Sequence, residues 1–298
     1  MGMSVPERRV IVVGGGAAGM MASIFAGKAG ARVTLLERGE KLGKKVYITG
    51  KGRCNVTNDC TLDEFLHEVA RNPRFLYSAL SFFSPQDMMQ LLEDAGCPVV
   101  VQRGRRVFPA TEKASDVTRT LARLMQQSGV EVRYGSRVQA LMTETAEDGA
   151  LRVTGVRLMD GTALPAERVI LATGGLSCPL TGSTGDGYAF AADLGHTIEP
   201  LRPSLTPLLS SHAQMRYLDK VLLRNVRATL YVDNEPVREE FGEIGFSDRG
   251  IEGAVALRMS RDAVDALIDG KGVGLMVDLK PGLTEEMLRE RIAREMAE

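Results

Sequence analysis

The stretch RRVIVVGGGAAG, residues 8–19, decides how the rest of the chain is read. Its first half is β-branched and apolar at consecutive positions, the pattern of a strand buried on both faces in a parallel sheet. Glycines follow at once, and from Ala17 to about Ala29 the composition is that of a helix. A second apolar strand, RVTLLE, ends on an acid at Glu37. Strand, glycine turn, helix, strand and terminal carboxylate form one complete βαβ unit with G-x-G-x-x-G spacing.

Each part of that unit has a physical job. Gly14 allows the tight turn, Gly16 lets a diphosphate approach the backbone, and Gly19 lets the helix pack closely on the strand. The first helical residues, Ala17 and Ala18, offer free N–H groups at the positive end of the helix dipole. Glu37 can accept hydrogen bonds from both ribose hydroxyls, and its charge repels a 2′-phosphate. The unit therefore suits FAD or NAD better than NADP.

A later stretch separates FAD from NAD. ERVILATGG, residues 167–175, is another buried strand opening into paired glycines. Its ATG ending resembles FAD-binding proteins of the two-dinucleotide-fold type, where this strand returns to the cofactor. No second G-x-G-x-x-G is present: GKGVG, residues 270–274, lacks the third glycine and a preceding strand. The chain thus resembles an FAD domain without a separate nicotinamide domain.

After Glu37 comes RGEKLGKKVYITGKGRCNVTND, with flexible glycines and the cations Lys44, Lys45, Lys51 and Arg53, which would offset two phosphate charges. EKLGKKVYITGKGRCNVTN is similar to a signature of a bacterial flavoprotein family. Its members are called NAD(P)/FAD-dependent oxidoreductases, aminoacetone oxidase-like or BaiN-like proteins. GRRVFPATEKASDV (104–117), VILATGGLSCPLTGSTGDGYAFAADLGH (169–196) and, more loosely, GEIGFSDRGIEGAVALRMS (242–260) agree with it. The last block usually carries Thr-His where Ser247-Asp248 stands here, so no histidine role carries over. The resemblance implies FAD contacts from Gly14, Gly16, Ala17, Ala18, Gly19, Glu37, Arg38, Lys45, Thr49, Gly50, Gly52, Arg53, Cys54, Asn55, Val138, Ala172, Thr173, Gly174 and Gly175. It leaves the catalytic residues unassigned. It also implies a C-terminal segment returning to the FAD domain, beyond RIAREMAE at the end of this sequence.

Several residues admit two readings. Cys54 and Cys60, in CNVTNDC, are either a redox dithiol or packed, flavin-neighbouring thiols. Arg105 and Arg106 are either solvated charges or groups over the flavin and substrate. TGSTGDGY, residues 181–188, is either a ligand-facing loop or a helix N-terminal turn. His67 belongs to a helix face that Thr61 and Glu64 cap, His196 to a helix end, and His212 to a polar loop. Ser115 and Asp116 are candidate caps for the next helix.

Composition bounds the rest. Lys plus Arg number 37 against 38 Asp plus Glu, a net charge of −1, which gives no electrostatic reason to expect nucleic acid or an acidic membrane as partner. Four cysteines at irregular spacing suggest a reducing cytoplasm, and no metal-ligand spacing is present. The run Val10–Val13 is too short for a leader or membrane span, and Pro6 does not suit the Met-Gly myristoylation pattern.

The expected fold is α/β. Residues 1–198 form a Rossmann-like FAD-binding domain of the glutathione-reductase type, and 199–298 a β-rich inserted domain, a small barrel with the start of a helical part from Thr284. Helices are expected over 61–95, strands at 98–103 and 130–142, and a hairpin over 151–172 turning at Asp160-Gly161. The expected activity is hydride exchange between FAD and a small organic substrate, with NAD(P)H a candidate donor. The alternatives are a non-catalytic flavin or nucleotide binder and a flavin-linked dithiol reductase. Substrate and oligomeric state are not legible.

Overall fold

A computed structural model describes residues 8–69 and 71–297; the N-terminal Met-Gly and Pro6 lie outside them. The chain divides into two compact units, which meet in sequence at Ile198 and Glu199.

In the first unit, β1 (Arg9–Val13) leads through glycines into α1 (Ala17–Lys28) and then β2 (Arg32–Leu36). Val10 and Val12 pack with Met20, Ile24 and Leu35, while Ile11 and Val13 pack into a second cluster with Val138, Val156 and Phe190. Alternate side chains of one strand thus fill two cores, which is why no polar residue interrupts it. Each such side chain stabilises the fold by about 1.5–3 kcal/mol.

After β2 come α2 (Lys44–Ile48), a 3₁₀ turn (Thr49–Gly52), β3 (Thr57–Asn58) and three helices, α3 (Leu62–Glu68), α4 (Pro73–Phe82) and α5 (Pro85–Asp94). Thr61 and Glu64 cap α3 reciprocally, and Ser84 and Asp87 do the same for α5. Arg105 donates to Glu64 at 2.7 Å and, with the Thr61 contacts, holds that carboxyl at about 2. The lowered value means that any stability from the pair is present above the ordinary carboxylate range and fades as pH falls toward about 2. Glu64→Gln should therefore flatten the loss of thermal stability between about pH 5 and about pH 2.5, measured by circular dichroism.

The chain continues through β4 (Val99–Gln102), β5 (Arg106–Pro109) and α6 (Ala114–Gln127). Lys113, not Ser115 or Asp116, is the N-cap of α6. Asp116 sits in its first turn and accepts from Thr111 and Arg119. The strand expected over 130–142 is two strands, β6 (Glu131–Arg133) and β7 (Val138–Thr145), because Gly135 turns the chain at φ +63°. β8 (Leu151–Leu158) and β9 (Ala163–Pro165) form the expected hairpin around Asp160-Gly161. β8 also pairs with β7, and β10 (Arg168–Leu171) leaves to join β1. The order β10-β1-β2-β6 is parallel throughout. α7 (Asp186–Asp193) closes the unit.

The second unit is an open antiparallel sheet, not a barrel. β11 (Leu208–Leu209), β12 (Leu222–Val232), β13 (Glu235–Ser247), β14 (Gly250–Glu252) and β15 (Val273–Asp278) take the order β11-β14-β13-β12-β15. α8 (Ala254–Ile268), which the strand-based reading missed, covers one face. Val255, Met259 and Ala263 repeat every four residues and pack on Val226, Leu230 and Ile244. α9 (Glu285–Ala297) follows. Among the described residues no helix is long and apolar enough to cross a membrane.

Candidate functional site

The β1–α1 turn is built from four glycines with separate reasons to be glycine. Gly14 sits at φ +107°, and a Cβ there would lie 2.5 Å from the Ala172 carbonyl oxygen. A Cβ on Gly15 would lie 2.5 Å from Leu42 and 2.9 Å from the Glu37 carboxylate. A Cβ on Gly19 would fall 1.8 Å from the Gly14 carbonyl oxygen. Gly16 differs: its φ of −75° and ψ of −175° suit any residue, and a Cβ there meets nothing within 4 Å. Neither backbone nor packing in this structure demands glycine at 16. A side chain at this position would project into open space.

That space belongs to a cavity of about 910 Å³. Of the residues expected from sequence, Gly14, Gly16, Ala17, Ala18, Glu37, Arg38, Lys45, Thr49, Cys54, Asn55, Val138, Ala172, Thr173 and Gly174 line it. No side chain caps α1, so its first N–H groups face the cavity without a side-chain partner. Glu37 accepts from the Gly15 N–H at 2.8 Å and from the Gly39 N–H at 2.7 Å. Two bonds to one carboxylate leave further lone pairs for a ligand.

Five expected residues are not in the cavity wall. Arg53 is engaged elsewhere in this structure. Its guanidinium donates to the Gly50 carbonyl, to Gln102 and to Glu112 at 3.0 Å, and it stacks 4.4 Å above Phe108. Gly50 and Gly52 turn the backbone at φ +56° and +88°, Gly19 serves helix packing, and Gly175 abuts the Tyr188 hydroxyl. Lys51 is likewise absent from the wall, as are Arg105 and Arg106.

The wall instead carries Lys41, Lys44, Lys45, Arg38 and Arg137 against two carboxylates, Glu37 and Asp186. Asp186, at the start of α7, lies 3.5 Å from both Arg38 and Arg137, and Arg38 donates to Thr184 at 2.6 Å. Lys45 donates to the Ser177 carbonyl at 2.8 Å and to the buried Ser183 hydroxyl at 2.7 Å. The loop TGSTGDGY thus supplies several wall residues, among them Ser183 and Asp186. Lys41, Arg137 and the apolar Met88, Val117 and Leu121 had no local signal in sequence, because their positions follow from topology.

All four cysteines are free; Cys54 lines the cavity, whereas the buried Cys60 does not. Burial pushes both thiols up, the reverse of a redox-active thiolate pair. The three histidines also lie outside the wall. Among the described residues no cluster of His, Cys, Asp or Glu could hold a metal ion.

A family model described as the HI0933-like protein Rossmann domain matches residues 8–279. A 3-dehydro-bile acid delta(4,6)-reductase of Clostridium scindens is 30% identical over 95% of this chain and 67% of its own length. A ribosomal RNA dihydrouridine synthase of Escherichia coli is 30% identical over 84% of this chain and 60% of its own. Among solved structures, a flavocytochrome c3 fumarate reductase in its open conformation has a TM-score of 0.52 at 23% identity, covering 74% of this chain and 48% of that one. That likeness speaks to the fold alone. The synthase, named for an RNA product, removes the force of the net-charge argument against nucleic acid, since a balanced total charge says nothing about local patches. The βαβ fingerprint, the cavity that opens beside it and these matches converge on one assignment: the chain belongs to the HI0933-like family of FAD-binding Rossmann flavoproteins.

Proposed function

We propose that the cavity holds FAD and that the protein is a flavin-dependent oxidoreductase, adding hydrogen across a carbon–carbon double bond conjugated to a carbonyl in a small organic substrate. The observation that carries the reading is Gly16, a glycine with ordinary dihedrals and empty space at its Cβ position beside a helix N-terminus. The other wall residues fit the same group. Five cations against two carboxylates suit a diphosphate, and Glu37 suits ribose hydroxyls. Val138 would meet adenine, and the segment 49–56 the flavin. The names of the two sequence relatives support a reductive reaction: one is called a reductase of a 3-dehydro-bile acid, and the other is named for dihydrouridine, a reduced base, in ribosomal RNA.

When bound, FAD supplies a hydride-transferring ring. The protein's part is to hold the diphosphate on the α1 N–H groups, orient the ribose by Glu37 and keep substrate and ring together in the cavity. The donor proposed is a reduced nicotinamide that comes and goes, as the chain carries a single glycine fingerprint. Four unpaired cysteines suit a reducing cytoplasm.

The test begins with the purified chain and a C-terminally extended form, from which heat should release a ligand with the mass of FAD. Anaerobic reduction followed by a panel of enones and free uridine should then reoxidise the flavin. A released nucleotide other than FAD sinks the cofactor assignment. A bound flavin that no conjugated carbonyl reoxidises favours the non-catalytic binder.

A further inference from the structure

Cys54 and Asn55 are neighbours in sequence, yet both line the cavity. In extended chain, consecutive side chains point to opposite sides. Here Cys54 adopts φ +63°, a left-handed conformation that non-glycine residues enter at a cost of about 1–2 kcal/mol. The turn brings two side chains to one wall. Cys54 is 4% exposed, and none of the other three cysteines reaches the cavity. Asn55 is exposed toward it, and its amide makes no hydrogen bond among the described residues. A buried thiol and an unengaged amide donor therefore share one wall of the site.

We propose that Cys54 is the proton donor and Asn55 the carbonyl-binding group of conjugate reduction in this cavity. The inference rests on the function proposed above. The Asn55 amide donates a hydrogen bond to the substrate's carbonyl oxygen, where negative charge develops. With FAD bound and reduced, the hydride it supplies would form the new C–H bond at the far carbon of the double bond. The π electrons move toward the carbonyl, giving an enolate. The Cys54 S–H bond then breaks, its proton goes to the carbon next to the carbonyl, and the sulfur keeps the electron pair. Solvent reprotonates the thiolate, and a hydride-donating reductant of the nicotinamide class restores the cofactor.

The surroundings suit an acid better than a nucleophile. Burial is the main influence on the thiol and pushes it up, with Cys97 acting in the same direction and Thr49 partly opposing both. Lys44 and Lys45 of α2 are the nearest cations in sequence that share the cavity, and α5 and α6 present Met88, Val117 and Leu121 to it. The neighbouring Arg53 is occupied by Glu112 and Gln102. A thiol so placed stays protonated at neutral pH.

The experiment uses the FAD-loaded chain, reduced anaerobically with dithionite and mixed with cyclohex-2-enone or with ferricyanide. Ferricyanide takes single electrons and needs no proton at carbon. Cys54→Ser, close in shape but a far weaker acid, should slow reoxidation by the enone about 100-fold or more, as loss of a general acid does. The enone rate divided by the same protein's ferricyanide rate, a ratio that cancels any change in the flavin itself, should fall by a similar factor. Asn55→Ala should slow the enone step about 10-fold to 100-fold. Independently of turnover, N-ethylmaleimide labelling of Cys54, followed by peptide mass, should slow when FAD is bound. The wild-type enone rate should stay level through neutral pH and fall only above the ordinary thiol range of about 8.5. An enone rate that rises as thiolate forms, or a Cys54→Ser protein as fast as wild type, overturns this inference and leaves the oxidoreductase reading standing. A wild-type flavin that ferricyanide reoxidises and no enone does overturns both.

Discussion

Gly16→Val should abolish flavin binding while leaving the fold intact. Valine's preferred dihedrals include the φ of −75° and ψ of −175° found at this position, and its branches would project into space with no protein atom within 4 Å of Cβ. The stability cost should stay below about 1 kcal/mol, the loss of a tolerable N-cap. Where the diphosphate must approach the backbone, the same branches stand between it and the helix N–H groups. A loss of at least about 100-fold in affinity is expected, about 2.7 kcal/mol. Titrating the apoprotein with FAD by fluorescence quenching measures this. Thermal unfolding supplies the control: wild type should gain stability as the logarithm of FAD concentration over Kd, and the variant should gain none at FAD concentrations below its own weakened Kd. Equal affinity in the two proteins would remove Gly16 from the site and the central support for FAD with it.

Gly19→Ala should do the opposite. Alanine is better than glycine in a helix interior by about 1 kcal/mol, so propensity alone favours the change. Its Cβ, however, would lie 1.8 Å from the Gly14 carbonyl oxygen and 3.3 Å from the Ala172 side chain. The carbonyl cannot swing aside, because the Gly14 N–H is bonded to the Leu36 carbonyl at 2.8 Å and Gly14 itself sits against Ala172. Relief requires moving α1 off β1, which opens the cluster around Met20 and Ile24. A net loss of about 3 kcal/mol or more is expected, in the range of severe overpacking. At about 2–4 °C per kcal/mol for a unit of this size, the melting temperature should fall by roughly 6–12 °C. A variant that melts at or above wild type would show that α1 and the glycine turn are less closely joined than these distances indicate. Together the two substitutions separate a glycine kept for a ligand from one kept for packing, although both belong to one short motif.

Part of this molecule could be read from the chain alone because the rules involved are short-range. An uninterrupted apolar strand, a glycine turn, a helix and an acid within thirty-odd residues specify the first βαβ unit, and the parallel order of β10, β1, β2 and β6 agrees. Thr61-Glu64 and Ser84-Pro85 marked helix starts because capping is a contact between residues three apart. α8 was legible in its four-residue repeat and was missed because neighbouring strands suggested an all-β unit.

The charges and the cavity wall followed different rules. Arg53 looks in sequence like a partner for phosphate, yet Glu112, 59 residues away, occupies it. Lys45 is held by Ser183, 138 residues away, in a loop whose purpose sequence left open between two readings. Met88, Val117 and Leu121 reach the cavity because α5 and α6 pack where they do, and nothing in their own neighbourhoods marks them. Periodicity, turns and caps are settled within one or two turns of chain, so residue order suffices for them. The neutralisation of each charge, and the shape of the space left beside Gly16, depend on which distant segments the packed core brings together.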